Sequence, residues 1–111
     1  MNFVKIMKFG GTSVGSPERM KALIPLITDD ERKVVVLSAM SGTTNSLIEI
    51  SDLLYSGNTA GALNKIEALS EKYHKIVTQV YETEAYKKSG IELIDSHMKV
   101  LTNIASKSFT K

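Results

Sequence analysis

A glycine-rich stretch, "KFGGTSVGS" from Lys8 to Ser16, contains residue types that are well suited to binding an anion. Glycines let a phosphate approach the main chain closely, and turn N–H groups without a partner can donate to it. Lys8 stands two residues before the first glycine, where an ammonium group could reach the same anion. At about 4 Å from a phosphate oxygen, such a charge interacts by roughly 4 kcal/mol at an effective dielectric near 20. The stretch therefore predicts phosphate binding; a tight turn beside a solvated Lys8 is the alternative.

Neither common glycine-rich nucleotide motif matches this stretch. In the P-loop pattern G-x-x-x-x-G-K-[ST], Gly10 and Gly15 have the required separation, but Ser16 and Pro17 occupy the positions of the lysine and the hydroxyl residue. The dinucleotide pattern G-x-G-x-x-G fails because the glycines stand at positions 10, 11 and 15. A P-loop hydrolase is therefore disfavoured, and Lys8 remains the candidate cation.

A second polar stretch, "SAMSGTTN" from Ser38 to Asn45, offers hydroxyl and amide groups around a glycine. If the strands before the two stretches are parallel, both stretches lie at one sheet edge, where ligands bind in open α/β folds. Such a group of donors and acceptors suits a small carboxylate or amino group. Capping of the next helix is the simpler role for Ser41, Thr43 and Asn45.

The elements that must position these stretches alternate along the chain. "FVKIMKF" (Phe3–Phe9) and "VVVL" (Val34–Leu37) are short apolar runs that predict buried strands. Between them we expect a helix with Ser16 as its N-cap and Pro17 at its first position, kinked or shortened by Pro25. Strand, helix and strand predict a parallel βαβ unit with a right-handed crossover.

The remainder of the chain is predicted to be helical. One helix is expected from about Ser46 to Ser56, with Ser46 and Glu49 as a capping box. Two long amphipathic helices follow residue 58, and Ser89 with Glu92 forms a second capping-box match. The first apolar stripe contains Leu63, Ile66, Tyr73, Ile76, Val77 and Val80, and the second contains Ile91, Ile94, Met98, Leu101 and Ala105. We expect these two helices to pack as a hairpin.

The bulk composition excludes several classes of protein. A length of 111 residues fits one small domain, and the absence of cysteine excludes disulfides and thiolate metal sites. A net charge of +2 is too small to indicate nucleic acid or an anionic membrane as partner. No apolar run approaches the roughly 20 residues of a membrane span, and His74 and His97 lie on different predicted helices. We therefore predict a cytoplasmic protein without a metal site of its own.

At these residues the sequence resembles the aspartokinases, which have the amino acid kinase fold. "KFGGTSV" is similar to the family's N-terminal signature, and "VVVLSAMSGTTNSLI" is similar to its second motif, in the same order and spacing. The resemblance covers essentially all 111 residues. It implies an α/β protein with part of the three-layer amino acid kinase (carbamate kinase-like) fold, in which a parallel βαβ unit precedes a helical hairpin.

The resemblance also implies a boundary, because aspartokinases are several times longer than this chain. Residues 1–111 are then expected to be the N-terminal fragment of an amino acid kinase domain. Residues 1–58 would carry both site stretches and residues 59–111 the hairpin. The rest of the catalytic domain and the ACT domains would be absent, so the isolated chain is expected to be inactive.

The reaction implied by the resemblance transfers the γ-phosphoryl group of ATP, with Mg²⁺ held mainly by the phosphates, to the side-chain carboxylate of L-aspartate. The product, 4-phospho-L-aspartate, starts the biosynthesis of lysine, threonine and methionine. Lys8 would be catalytic, and Ser38 and Thr44 would face the aspartate. The nucleotide-binding residues would be Lys8, Phe9, Gly10, Gly11 and Ser13. The full-length parent is expected to be a homo-oligomer; a non-catalytic helical interaction module with an incidental glycine turn is the alternative.

Overall fold

The computed structural model describes residues 3–107. They form two strands and four helices, namely β1 (Lys5–Phe9), α1 (Pro17–Ile27), β2 (Lys33–Leu37), α2 (Thr43–Tyr55), α3 (Thr59–Val80) and α4 (Glu84–Ala105). The chain divides into two compact units, one up to Gly42 and the other from Thr43 onward. The predicted mixed α/β class is confirmed. Within the second unit, α2 packs on α3.

The first unit is a parallel βαβ unit, as predicted. β1 and β2 are hydrogen-bonded neighbours with Met7 in register with Val35 and Lys8 in register with Val36. The Ser38 N–H donates to the Phe9 carbonyl at 3.0 Å, which extends the ladder beyond the end of β2. The residues that follow the two strands therefore begin side by side at one edge of the sheet.

Helix α1 begins as the sequence predicts. The Ser16 hydroxyl accepts from the Arg19 N–H at 3.2 Å, and Pro17 is the first helical residue. Pro25 does not end the helix, which continues for two more residues to Ile27. The Thr28 N–H then donates to the Ile24 carbonyl at 3.1 Å and closes the C-terminus.

The expectation that both strands are buried is wrong. Ile6 is 74% exposed, and Val34 and Val36 are 49% and 45% exposed. These side chains share one face, because Ile6 is in register with Val34 and the face repeats every second residue. Parallel sheets are normally covered by helices on both faces, and the described part of the first unit contains one helix, α1.

The second unit has a small hydrophobic core built by three helices. Helix α3 packs against both α2 and α4, which confirms the predicted hairpin. The buried residues of this core are Ile50, Leu54, Ala62, Ile66, Leu69 and Ala105. Tyr73, Met98 and Leu101 are half-buried against it, as expected for their stripes. His74 Nε2 lies 2.6 Å from Asp95 Oδ1 and joins α3 to α4.

Both predicted capping boxes are wrong, because each helix begins earlier than expected. Gly42 has a φ of +86°, a left-handed conformation that glycine adopts readily, and α2 begins directly after it at Thr43. Ser46 therefore lies inside α2. Helix α4 begins at Glu84, whose carboxylate is favoured at the positive end of a helix, so Ser89 lies inside α4.

None of the helices among residues 3–107 is long and apolar enough to cross a membrane.

Candidate functional site

The glycine turn, residues 10–16 between β1 and α1, is closed by short-range main-chain hydrogen bonds. The Gly10 carbonyl accepts from the N–H groups of Ser13 and Val14, at 3.0 and 3.2 Å. The Thr12 carbonyl accepts from the Gly15 N–H at 3.4 Å. Val14 is only 4% exposed and anchors the turn by burying its side chain. The turn is thus an ordered structure built from its own main chain.

Three amides at the start of the glycine turn remain available as donors. Within residues 3–107, no carbonyl or side-chain oxygen accepts from the main-chain N–H of Gly10, Gly11 or Thr12. Unpaired N–H groups in a glycine-rich turn are the usual donors to a phosphate. The Ser13 N–H, in contrast, is already bonded to Gly10, so its contribution to an anion would have to come from its hydroxyl.

Two glycines of the turn differ sharply in how much space surrounds them. A Cβ placed on Gly15 would lie 3.0 Å from the Gly11 carbonyl oxygen and 3.3 Å from that of Thr12. A Cβ placed on Gly10 would meet no atom within 4 Å. Gly15 is therefore needed for the turn to close, whereas the space beside Gly10 is open to a ligand.

Lys8 lies on β1 two residues before Gly10, and its side chain is exposed. Two other lysines of this unit form ion pairs, since Lys5 lies 4.0 Å from Glu31 and Lys33 pairs with Asp29. No acidic side chain among the described residues pairs with Lys8. Phe9 is half-buried and belongs to the opposite face of the strand, because successive side chains alternate.

The second polar stretch begins beside the glycine turn. A Cβ placed on Gly11 would lie 3.5 Å from the Ser38 Oγ and 3.7 Å from the Ala39 carbonyl oxygen. The Ser38 hydroxyl is exposed and donates to the Ala39 carbonyl at 2.8 Å. The structure thus brings Ser38 next to Gly11, as the parallel strands predict.

Thr44, the other residue expected to face a substrate, is the second residue of α2 and belongs to the second compact unit. Its neighbour Thr43 is hydrogen-bonded through its hydroxyl to the hydroxyl of Tyr73 on α3. The first turn of α2 is therefore fastened to the helical core. The roles expected for all the site residues stay predictions, namely those of Lys8, Phe9, Gly10, Gly11, Ser13, Ser38 and Thr44.

Arg19 is a contributor to the site that the sequence interpretation missed. Its Nη1 donates to the Thr12 carbonyl at 2.8 Å, which joins the first turn of α1 to the glycine turn. A cation in the first turn of a helix is disfavoured by the helix dipole. The presence of Arg19 at such a position in α1 was the sequence feature that could have indicated a special role. No group of three or more His, Asp or Glu side chains within residues 3–107 is placed to hold a metal ion.

Comparison with known proteins gives a consistent result. The model of the amino acid kinase family matches residues 4–107. Aspartokinase 2, chloroplastic, of Arabidopsis thaliana is 47% identical over 68 residues, which are 60% of this chain and 12% of that protein. The aspartokinase of Rickettsia prowazekii (strain Madrid E) is 41% identical over 70 residues, 60% of this chain and 14% of that protein.

A longer match covers more of this chain. The bifunctional aspartokinase/homoserine dehydrogenase, chloroplastic, of Daucus carota is 35% identical over 92 residues, 81% of this chain and 8% of that protein. The chain thus spans about a seventh or less of the length of these three relatives. The resemblance to aspartokinases is confirmed by these matches.

Proposed function

Because the chain belongs to the amino acid kinase family, we propose that it supplies the phosphate-binding turn, and part of the aspartate site, of an aspartate kinase. The single observation that carries the proposal is the glycine turn, in which three amides have no acceptor among residues 3–107, two positions after Lys8 on β1, which pairs with no acidic side chain among the same residues. The similarity to proteins named aspartokinases supports aspartate as the acceptor.

The proposed reaction joins two substrates at the edge where β1 and β2 end. A carboxylate oxygen of L-aspartate forms a bond to the γ-phosphorus of ATP, and the bond from that phosphorus to the β–γ bridging oxygen breaks. The electron pair leaves with ADP, and 4-phospho-L-aspartate is formed. Lys8 and the amides of Gly10 and Gly11 act by stabilising negative charge on the phosphoryl oxygens, which is the main requirement of phosphoryl transfer.

The aspartate side of the site is proposed for Ser38 from its place beside Gly11, and for Thr44 from the sequence motif alone. Ser38 lies beside Gly11, so its hydroxyl, on turning from the Ala39 carbonyl to which it now donates, could donate to a substrate carboxylate close to the phosphates. As the resemblance to the aspartokinases implies, Mg²⁺ is proposed to be held mainly by the phosphates of the nucleotide. A cytoplasmic location and a homo-oligomeric state remain predictions from the sequence.

The alternative, a helical interaction module with an incidental glycine turn, is less well supported. The family match is not confined to the glycine turn, because it continues through the hairpin to residue 107. One family model therefore accounts for the strands and for the helices together.

The test is a chimera in which residues 4–107 replace the matching segment of the Rickettsia prowazekii aspartokinase. We expect the chimera to convert ATP and L-aspartate to an acyl phosphate, which is trapped with hydroxylamine and measured as the hydroxamate. Lys8→Met should lower kcat by about 100-fold or more, because an electrostatic contact to the transferring group is lost.

Lys21→Met is the matched control for this variant. Lys21 is an exposed lysine on α1, so its replacement removes the same charge and should leave kcat unchanged. A folded chimera without kinase activity would contradict the proposed function. A Lys8→Met variant with the kcat of the Lys21→Met control would contradict the role of Lys8.

A further inference from the structure

The side chain of Arg19 crosses from α1 to the glycine turn. Its main-chain N–H is held by the N-cap Ser16 at 3.2 Å, and its Nη1 donates to the Thr12 carbonyl, seven residues earlier, at 2.8 Å. Arg19 is exposed, so its side chain contributes little to a core. The structural contact of the Arg19 side chain is therefore its hydrogen bond to the Thr12 carbonyl.

The position of Arg19 is electrostatically unfavourable, which suggests that the residue has a specific role there. It is the third residue of α1, where the unpaired N–H groups of the helix already concentrate positive charge. Glu18 beside it is the residue type that suits this position. A guanidinium at this end of the helix adds positive potential beside the glycine turn, and it does so while holding a carbonyl.

With the hydrogen bond from Arg19, two carbonyls of the turn are hydrogen-bonded within residues 3–107 while three of its amides are not. The carbonyls of Gly10 and Thr12 are both engaged, the first by two main-chain N–H groups and the second by Gly15 and Arg19. The amides of Gly10, Gly11 and Thr12 have no acceptor among residues 3–107. A phosphate is attracted by N–H groups and repelled by carbonyl oxygens, so this division is the one that an anion requires.

We propose that Arg19 is a positioning residue, whose guanidinium holds the Thr12 carbonyl toward α1 and thereby keeps the amides of Gly10, Gly11 and Thr12 free for phosphate. The proposal rests on the proposed function, since it assigns a second residue to the same phosphate site. It differs from the role of Lys8, because Arg19 acts through the conformation of the turn.

The experiment measures binding of inorganic tripolyphosphate to the 111-residue chain by calorimetry. Arg19→Met removes the donor but keeps a long side chain, and we expect it to raise the Kd roughly tenfold, the effect of losing one hydrogen bond with a charged donor. Arg19→Lys keeps a donor of similar reach and should recover most of the affinity.

The matched control is Arg32→Met, because Arg32 is the only other arginine of the sequence and its loss changes the net charge equally. Arg32 precedes β2, away from the strand ends that lead into the site. We expect its replacement to leave the Kd close to that of the unchanged chain. Equal effects of Arg19→Met and Arg32→Met would overturn the proposal, since net charge would then explain both.

Amide hydrogen exchange, measured by NMR on the same proteins without ligand, reports the turn itself. Arg19→Met should speed exchange at Ser13 and Val14, whose N–H groups bond to Gly10, while Arg19→Lys and Arg32→Met should not. Unchanged exchange and unchanged Kd in Arg19→Met would overturn the positioning role, as would the absence of tripolyphosphate binding to the unchanged chain. Kinase activity of the chimera is judged separately, so a failure of the proposed function can be told apart from a failure of this assignment.

Discussion

The conformation of the glycine turn depends on the space around single glycine residues rather than on side-chain chemistry. Gly15 closes the turn against two carbonyl oxygens, and Gly10 faces open space. Neither has a left-handed φ, so a substitution at either position is judged by contacts alone. Gly15 is therefore required by the structure of the turn, whereas a requirement for glycine at position 10 would come from a ligand.

Gly10→Ala and Gly15→Ala are expected to affect different properties of the 111-residue chain, the first its phosphate binding and the second its stability. Gly10→Ala should leave the free energy of unfolding unchanged or slightly higher, since alanine restricts the unfolded chain, but should weaken tripolyphosphate binding because the methyl group occupies the approach to the amide. Gly15→Ala should lower the free energy of unfolding by about 1–3 kcal/mol, the usual cost of overpacking. Chemical denaturation and calorimetry measure both; a Gly10→Ala chain with full phosphate affinity would show that no ligand approaches there.

At the scale of elements, the first residues of α3 and α4 show that an N-cap residue stabilises a helix only if its side chain makes the capping hydrogen bond. Asn58 precedes α3 and its Oδ1 accepts from the Gly61 N–H at 2.9 Å. Thr83 stands at the equivalent position before α4 but makes no side-chain capping bond. Both residue types are favoured at the N-cap, so the difference lies in the hydrogen bond and not in the residue type.

Asn58→Ala should lower the free energy of unfolding by about 1 kcal/mol, because one N–H at the start of α3 loses its partner. Thr83→Ala should cost clearly less, since no capping bond is lost. Urea denaturation followed by circular dichroism at a helix wavelength measures both variants on the same chain. Equal losses would mean that the Asn58 bond does not contribute in solution.

At the scale of the whole molecule, burial is uneven between the two compact units. The hydrophobic core lies in the second unit, whereas no residue of α1 is buried and one face of the sheet is exposed. Exposed apolar strands with free edges are surfaces on which chains associate. The separate chain should therefore self-associate through its sheet.

Val34→Lys should reduce this association, because it places a charge on the exposed face of β2. Val100→Lys is the matched control, since Val100 is 55% exposed on α4 and its replacement makes the same chemical change on a helix. Sedimentation velocity over a series of concentrations should show oligomers for the unchanged chain and the control, and fewer for Val34→Lys. A single monomeric species for the unchanged chain would refute the expectation.

Features that depend on neighbouring residues could be predicted from the sequence. Ser16 and Pro17 specified the start of α1, and the apolar run at Val34 specified β2, because caps and strands are encoded over a few positions. The juxtaposition of Gly11 and Ser38 also followed from the parallel pairing of two strands.

Other features could not be predicted, because they depend on geometry that spacing does not encode. The pairs Ser46 with Glu49 and Ser89 with Glu92 fit capping boxes by spacing, yet both lie inside helices. The exposure of Ile6 and Val34 depends on what else surrounds the sheet, which no local pattern describes. The bond from Arg19 to Thr12 requires the direction of a side chain, and it became visible only in three dimensions.

The bonds that shape the glycine turn join residues at most seven positions apart. Closing so short a loop costs little entropy and takes on the order of 10–100 ns, much faster than the pairing of two strands across a helix. During folding these local contacts can therefore form before β2 pairs with β1, whereas the burial of Val14, which anchors the turn, is completed only when the chain packs around it.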